Sequence, residues 1–176
     1  PNLAGSNDRR QVFLFGPADT TGTLKGPGVD VNFDLGAEGF TVIEVPLAAQ
    51  LNSGVVENKG FRIDSTVAIS GYYLSRRQAT TDMAYLIDGS RLGTDHYVLG
   101  YQNLNEDQVS AQATQDNTSV TFTRPNGVTQ TVTLNAGQTF MLTANAQLTG
   151  TRVTSDKPIA VFSGIRCTNV PTGVTA

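Results

Sequence analysis

The sequence predicts an all-β protein made of two homologous antiparallel, β-sandwich-like repeats packed in tandem. Three observations favour this fold class. The chain holds 23 Thr and 18 Gly but only 15% charged residues, which suits short strands and turns better than helices. Short runs of β-branched and aromatic residues are separated by Gly, Pro and Asn turn signals along the whole length. The third observation is an internal repeat at a nearly constant spacing.

The repeat is clearest in two stretches, residues 60–71 and residues 150–164. Each stretch has a Gly-x-Arg motif, a β-branched residue, a polar turn that contains Ser, and a β-branched run around Ala. This pattern predicts a strand, a tight turn and a second strand. Because the stretches begin at Gly60 and Gly150, their offset is 90 residues (150 − 60).

Further matches extend the repeat towards the N-terminus. Gln11 aligns with Gln108 at an offset of 97 (108 − 11), and Leu35 aligns with Leu134 at an offset of 99 (134 − 35). The offset then falls to 90 because the first copy carries extra residues at 53–59. Chance matches would not keep so steady an offset. The predicted organisation is a flexible lead-in at 1–10, repeat one at 11–71, an inter-repeat loop and strand at 72–107, repeat two at 108–164 and a truncated loop at 165–176.

Alternating or continuous apolar runs between turn signals predict the individual strands. Pro125-Asn126-Gly127 is the clearest hairpin, since Asn-Gly tolerates positive φ. Pro158 lacks an amide donor, so its strand is expected to begin there or to lie at an edge. Residues 76–82 are expected to form a polar loop. The predicted strands are 11–15, 20–25, 29–35, 40–45, 62–63, 67–73, 96–101, 109–114, 119–124, 128–134, 139–143, 152–153 and 158–162.

Composition excludes several classes of function. The net charge of −3 and the pI near 5.0 argue against a nucleic-acid partner, which normally meets a basic face. No apolar run approaches the roughly 18 residues of a membrane-spanning helix. One Cys and one His leave no cluster of soft metal ligands. Low charge and abundant Thr fit an extracellular or cell-surface β protein.

One stretch invites a metal interpretation. Asp30, Asn32 and Asp34 resemble the start of a calcium loop. Such a loop needs Gly at its sixth position, where this chain has Leu35, and Gly36 comes one residue too late. An alternating strand also explains the apolar residues between the three polar ones. We therefore expect no cofactor, with calcium at these residues as the alternative.

Catalytic motifs are not evident in the sequence. His96 is the only histidine, it lies in an alternating stretch, and no Gly-x-Ser-x-Gly elbow occurs. A pair of Cys167 with His96 has no supporting motif. The sequence therefore predicts a non-enzyme, with a hydrolase of unrecognised site as the remaining alternative.

The best candidates for recognition lie just after repeat one. Arg76 and Arg77 follow a Tyr-rich strand, and two adjacent arginines can bind a carboxylate, sulfate or phosphate. Tyr and Arg also dominate binding hot spots. The alternative is a solvated loop end, or an arginine paired with Asp82. The candidate binding residues are Tyr72, Tyr73, Arg76, Arg77 and Asp82.

Five segments of the chain carry a resemblance to a known family, and the run Ser-Asp-Lys-Pro-Ile-Ala-Val-Phe is the most specific part of it. The segments are residues 57–63, 92–99, 113–121, 148–162 and 167–171. They resemble the IgG-Fc-binding-protein N-terminal domain family, which occurs in a mucosal Fc-binding protein and in large bacterial surface proteins. The resemblance covers roughly residues 10–173 and implies an extracellular, β-rich interaction domain without known catalysis.

The single cysteine leads to an expectation about pairing. Cys167 is an odd cysteine, and in an oxidising compartment an odd cysteine suggests a missing partner. The resemblance implies a second cysteine shortly after the Cys-x-Asn-Val-Pro segment. We expect the native protein to continue past Ala176, with Cys167 bonded to a cysteine beyond it. A free, buried Cys167 is the alternative.

Together these observations predict a non-catalytic adhesion or ligand-binding module of a secreted or cell-surface protein. Its partner is expected to be a protein or glycan on a surface, with no nucleic acid and no membrane span. The alternative is a structural subunit of an extracellular filament or surface layer that self-assembles by strand addition.

Overall fold

The computed structural model describes residues 8–77, 80–101, 105–169, 171 and 173–174. The described residues form fourteen strands and two short 3₁₀ turns, at Leu47–Ala49 and Gly89–Arg91, without an α-helix. The predicted all-β class is therefore confirmed. The strands are β1 (Arg9–Phe15), β2 (Thr21–Gly26), β3 (Val29–Asp34), β4 (Phe40–Glu44), β5 (Val56–Glu57), β6 (Arg62–Ser65), β7 (Ser70–Arg77), β8 (Thr80–Leu86), β9 (Gly93–Tyr97), β10 (Asp107–Ala113), β11 (Thr118–Thr123), β12 (Thr129–Leu134), β13 (Thr139–Ala144) and β14 (Arg152–Ile165).

The chain divides into two compact units. Within the described residues, the N-terminal unit comprises 8–50 and 59–87, and the C-terminal unit comprises 51–58 and everything from 88 onwards. Each unit has its own hydrophobic cluster.

The N-terminal unit contains a four-stranded sheet and a three-stranded sheet, both antiparallel. Their strand orders are β4-β1-β7-β8 and β3-β2-β6. Alternate residues of both sheets point into one core, as the period of two in a strand dictates. Val12 and Leu14 enter it from β1, Leu24 from β2 and Phe33 from β3, and all four are buried.

The C-terminal unit holds one seven-stranded sheet. Its order is β12-β11-β14-β10-β13-β5, and β9 adds to β14. The long strand β14 pairs with β11 through residues 152–155 and with β10 through residues 159–165. Phe122 and Phe140 lie in its core with ring centroids 5.6 Å apart.

Strand β5 comes from the extra residues of the first copy. Glu57 lies opposite Thr139 and Val56 opposite Phe140 on β13. The amide of Gly54 donates to the carbonyl of Met141 at 2.8 Å. These extra residues therefore complete the sheet of the C-terminal unit.

Three local predictions were wrong. The expected polar loop at 76–82 is occupied by strands, because β7 continues to Arg77 and β8 starts at Thr80. The pairing of β7 with β8 imposes the strand conformation on these polar residues. The strand expected at 96–101 instead runs over Gly93–Tyr97.

The third correction concerns the tight turn expected between residues 153 and 158, because β14 runs without a break through this stretch and through Pro158. Pairing with β11 ends at Ser155 and pairing with β10 begins at Ile159. Pro158 therefore falls between two ladders, where its missing amide donor removes no hydrogen bond from either one.

Candidate binding surface

The four-stranded sheet has one face directed away from the core. On β1, Arg10, Val12 and Leu14 are buried, whereas Arg9 and Phe15 are exposed. Residues directly opposite each other on neighbouring strands share a face, so the register of the sheet extends this division to β4, β7 and β8.

The outward face carries eight large apolar side chains, here called the aromatic face. Phe15 and Phe40 are each 40% exposed, Met83 is 51% exposed and Tyr85 is 52% exposed. The other members are partly covered by their neighbours. The aromatic face consists of Phe13, Phe15, Phe40, Val42, Tyr72, Leu74, Met83 and Tyr85.

The rings of the aromatic face touch one another across all four strands. The ring centroids of Phe15 and Phe40 are 4.8 Å apart in a stacked arrangement. Tyr72 meets Phe15 edge-on at 6.1 Å and Tyr85 at 5.3 Å. Such contacts fix the rings in place, so a ligand would meet a largely preorganised surface.

One end of the same face is basic. Arg9 on β1 lies directly opposite Arg76 on β7, and both side chains are exposed. Neither forms an ion pair or hydrogen bond with a described side chain. Glu44, the nearby acidic residue of this face, instead accepts a hydrogen bond from Gln11 at 2.7 Å.

The five residues predicted for binding are divided between the two faces of this sheet. Tyr72 and Arg76 lie on the outward face. Tyr73, Arg77 and Asp82 belong to the opposite row, which packs on or borders the core. The register therefore brings together only two of the five candidates.

The inward candidates have identifiable structural partners. Tyr73 packs against the hydrophobic cluster, and burial raises the pKa of its hydroxyl, an effect that the charge of Arg10 opposes. Arg77 pairs with Asp8 at 3.6 Å. The side chain of Asp82 accepts a hydrogen bond from the amide of Met83 at 2.8 Å.

Most of the aromatic face was not predicted from the sequence. One signal pointed to it: the run Val12-Phe13-Leu14-Phe15 is apolar at every position, not only at alternate ones. An antiparallel strand that is apolar on both sides has a second face to cover. The cross-strand register that gathers Phe40, Tyr72 and Tyr85 around this strand was not readable from the sequence.

The possible calcium ligands lie along β3 as exposed strand residues. Asp34 accepts the amide of Gly36 at 2.7 Å, and Asp30 lies 4.0 Å from the ammonium of Lys25. In the part of the chain that the structure describes, no group of three or more His, Cys, Asp or Glu side chains is placed to hold a metal ion.

His96 has a local polar contact, whereas the thiol of Cys167 is free. The ring nitrogen Nε2 of half-buried His96 lies 3.0 Å from the carbonyl oxygen of Gly93, within the same strand. Cys167, the only cysteine of the sequence, is a half-buried free thiol in this chain. Its pairing with a cysteine outside this sequence stays a prediction.

Each unit also carries an exposed Arg–Asp pair that is bonded through two nitrogens. In the C-terminal unit, Arg152 donates to Asp95 at 2.9 and 2.6 Å. In the N-terminal unit, Arg62 donates to Asp64 at 2.7 and 2.8 Å. These hydrogen bonds lower the pKa of both carboxyl groups. Since the two arginines are satisfied, they differ from Arg9 and Arg76.

Fold and surface together define an all-β protein with an exposed, partly basic aromatic sheet face. A comparison with protein-family models found one family. The model described as IgGFc binding protein matches residues 82–176, which is 95 of the 176 residues (176 − 82 + 1). The chain belongs to this family, as the resemblance implied. The match begins within β8 and includes the C-terminal unit except residues 51–58. No curated protein and no solved structure matches the chain. Within the described residues there is no helix with the length and apolar character needed to cross a bilayer.

Proposed function

We propose that this chain is an extracellular, non-catalytic ligand-binding module, and that the aromatic face is where it binds a protein. Membership in a family named for binding the Fc region of immunoglobulin G supports a binding role and a protein ligand. Extracellular placement agrees with the low charge and high Thr content of the sequence.

The observation that carries the proposal is the exposure of contacting rings on a regular sheet. Contiguous exposed apolar patches are uncommon on soluble monomers and often mark interaction sites. Phe15, Phe40 and Tyr85 each leave 40% or more of their surface in water. Covering such surface yields roughly 25 cal/mol per Å² of apolar area, so even partial burial of several rings provides useful affinity.

The chemistry of the face favours a protein ligand over a glycan. Five of its eight members are rings, but Val42, Leu74 and Met83 between them are aliphatic. Of the eight side chains only Tyr72 and Tyr85 carry a hydrogen-bonding group, and the neighbouring Gln11 is already bonded to Glu44. A glycan would therefore bury several hydroxyl groups without partners, at a cost of about 1–3 kcal/mol for each one unsatisfied.

We also propose that the two units arose by duplication of one sandwich-like unit. The same pairing pattern occurs in both units. In the N-terminal unit, β1 pairs with β4 and β7, and in the C-terminal unit β10 pairs with β13 and β14. Likewise, β2 pairs with β3 and β6, and β11 pairs with β12 and β14. Paired residues keep the offsets found in the sequence. Leu24 lies opposite Ile63, and Phe122 lies opposite Val153. The offset is 98 from Leu24 to Phe122 (122 − 24) and 90 from Ile63 to Val153 (153 − 63).

Small details of the turns support the same duplication. The buried hydroxyl of Thr20 donates to the carbonyl of Pro17 at 2.7 Å, and that of Thr118 donates to the carbonyl of Gln115 at 2.8 Å. The preceding residues, Asp19 and Asn117, have φ of 56° and 53°. Non-glycine residues adopt this conformation rarely, so its recurrence at equivalent positions supports a common origin.

If the units arose by duplication, positions of the aromatic face can be compared with the equivalent positions of the C-terminal unit. The positions equivalent to Phe13 and Phe15 are Ser110 and Gln112, at the offset of 97, and the position equivalent to Phe40 is Thr139, at the offset of 99. At these three positions the C-terminal unit has polar residues, although Phe162, equivalent to Tyr72 at the offset of 90, is a ring on the same face. We infer that Phe13, Phe15 and Phe40 serve binding and not folding.

The test compares two triple variants. The face variant carries Phe15→Ser, Phe40→Ser and Tyr85→Ser. The control carries Val67→Ser, Leu99→Ser and Val128→Ser, which remove similarly exposed apolar groups elsewhere. Both are assayed by biolayer interferometry against IgG Fc fragment and a panel of secreted proteins.

We expect proteins bound by the wild type to lose at least about tenfold in affinity with the face variant and little with the control. Circular dichroism establishes that each variant is folded, and Tyr85→Ser alone replaces the triple variant if it is not. Unchanged binding by the folded face variant would contradict the placement. Concentration-dependent polymers of the wild type in light scattering would favour the structural-subunit alternative.

A further inference from the structure

We infer that the aromatic face, if it binds protein as proposed above, takes an extended acidic segment of its partner. In this arrangement a carboxylate of the segment lies over Arg9 and Arg76, and alternate apolar side chains lie along the rings. The inference names the kind of ligand and therefore rests on the proposed function.

Arg9 and Arg76 place two positive charges at directly opposite positions of the sheet. Cβ atoms of directly opposite residues on antiparallel strands are about 5 Å apart, and like charges so placed destabilise a sheet. Arg9 and Arg76 keep this arrangement although the protein as a whole is acidic, with a net charge of −3. Neither has an acidic partner among the described residues. Two arginines at directly opposite positions without an acidic partner suit a carboxylate, which can accept hydrogen bonds from both.

The spacing of the face suits an extended peptide. Rows of same-face residues on the sheet are about 6.8 Å apart, twice the rise of one strand residue. On β7 and β8 the arginine row is followed by Leu74 and Met83, and then by Tyr72 and Tyr85. The row of Leu74 continues through Gln11 to Glu44 on β4, where the Glu44 carboxylate is bonded to Gln11, so the segment is placed over β7 and β8. An extended peptide has the same repeat. An acidic residue at position i therefore places apolar residues at i+2, i+4 and i+6 over successive rows.

The size of the face argues against a second copy of the chain as the occupant. Four strands at about 4.8 Å spacing and four rows along them give a surface of about 14 by 20 Å, or about 300 Å². A stable protein–protein interface buries roughly 800 Å² on each partner. A short segment fits this area, whereas a dimer would need much additional contact.

The probe is a fluorescently labelled, end-blocked peptide Glu-Ser-Leu-Ser-Phe-Ser-Phe, compared with the same peptide carrying Gln in place of Glu. Fluorescence polarisation measures binding of both peptides to the wild type, to Arg9→Gln/Arg76→Gln, and to the control Arg91→Gln/Arg124→Gln, which changes the net charge equally. Each titration is run at about 50 mM and about 500 mM salt, where screening differs strongly.

We expect the wild type to bind the Glu peptide about tenfold more tightly than the Gln peptide at low salt, which corresponds to about 1.4 kcal/mol. The preference should disappear in Arg9→Gln/Arg76→Gln, shrink at high salt and persist in the control. The face variant should lose both peptides, because both use the rings.

Other outcomes separate this inference from the proposed function. Equal binding of both peptides, lost only in the face variant, would refute the acidic preference and leave the binding face in place. If neither peptide binds at concentrations up to about 1 mM, its binding free energy is weaker than about −4 kcal/mol, and the inference itself is overturned. Arginine-dependent binding of 3′-sialyllactose without peptide binding, or a dimer in light scattering, would equally overturn it.

Discussion

The Arg152–Asp95 pair is the clearest electrostatic contact at the scale of single residues. Its two short hydrogen bonds, with the guanidinium also 5.9 Å from the centre of the Tyr97 ring, hold the pKa of Asp95 below its usual range. A carboxyl group with a lowered pKa contributes stability above its ordinary pKa. That contribution is lost as the pH falls through the lowered value.

We predict that Arg152→Gln returns the pKa of Asp95 to the ordinary range of about 4. Carboxyl ¹³C NMR titration measures it directly. Arg62→Gln is the matched control, since it should raise the pKa of Asp64 and leave that of Asp95 unchanged. If Asp95 titrates identically in wild type and Arg152→Gln, the pair does not persist in solution.

At the same scale, residue type identified only part of the binding surface. Tyr72 and Arg76 were recognisable because Tyr and Arg are frequent in binding sites. Tyr73 and Arg77 have the same chemistry but point the other way, since neighbours in a strand alternate between faces. Which of two adjacent residues faces the core depends on the register with β1, and that register is a property of the folded sheet.

Among the elements, strands bounded by strong turn signals were predictable. Asn126-Gly127 forms the expected hairpin, in which Gly127 has a φ of 82° and the amide of Arg124 donates to the carbonyl of Val128 at 2.9 Å. The β7–β8 pair was missed because its polar residues are those of a solvated loop. Their strand conformation comes from pairing between two sheet strands, which local sequence does not encode.

Strand β2 provides a prediction at this scale, because it passes close to its neighbours at Gly22. A Cβ added there would lie 2.2 Å from the carbonyl oxygen of Asp64 and 2.4 Å from the ring of Phe33. We predict that Gly22→Ala lowers the free energy of unfolding by about 1–3 kcal/mol, since the sheet must open to admit a methyl group.

The control for this substitution is Gly164→Ala in β14, where an added Cβ has no atom within 4 Å. That variant should be neutral or slightly stabilising, by at most about 1 kcal/mol. Urea unfolding gives both values. A Gly22→Ala protein as stable as the wild type would mean that β2 and β6 do not pack this closely.

On the scale of the whole molecule, two units with separate cores should lose stability separately when a core side chain is truncated. Leu24 and Phe122 occupy equivalent positions, and each is fully buried in the cluster of its own unit. We predict a loss of about 2–5 kcal/mol for Leu24→Ala and about 3–5 kcal/mol for Phe122→Ala. Hydrogen exchange read by mass spectrometry should place the first loss in 8–50 and 59–87, and the second in 51–58 and 88–169.

Each of these two variants serves as the control for the other. Uniform loss of protection along the chain in both variants would mean that the units unfold together. The all-β class followed from composition and turn signals, whereas the division into two repeats stays a prediction from the sequence offset. The pairing of residues 51–58 with β13 was not predictable, because an offset shows only that residues were inserted and not where they pair.

The pairing of β5 limits where such a chain can be divided. Residues 51–58 lie between strands of the N-terminal unit in sequence, yet Val56 and Glu57 pair with β13, and Ser53 accepts a hydrogen bond from the hydroxyl of Thr143 at 3.0 Å. An exchange at residue 87 would give the C-terminal unit a foreign strand partner, and a fragment that begins at residue 82 would lack β5. The sheet of the C-terminal unit is therefore complete only in a chain that includes residues 51–58.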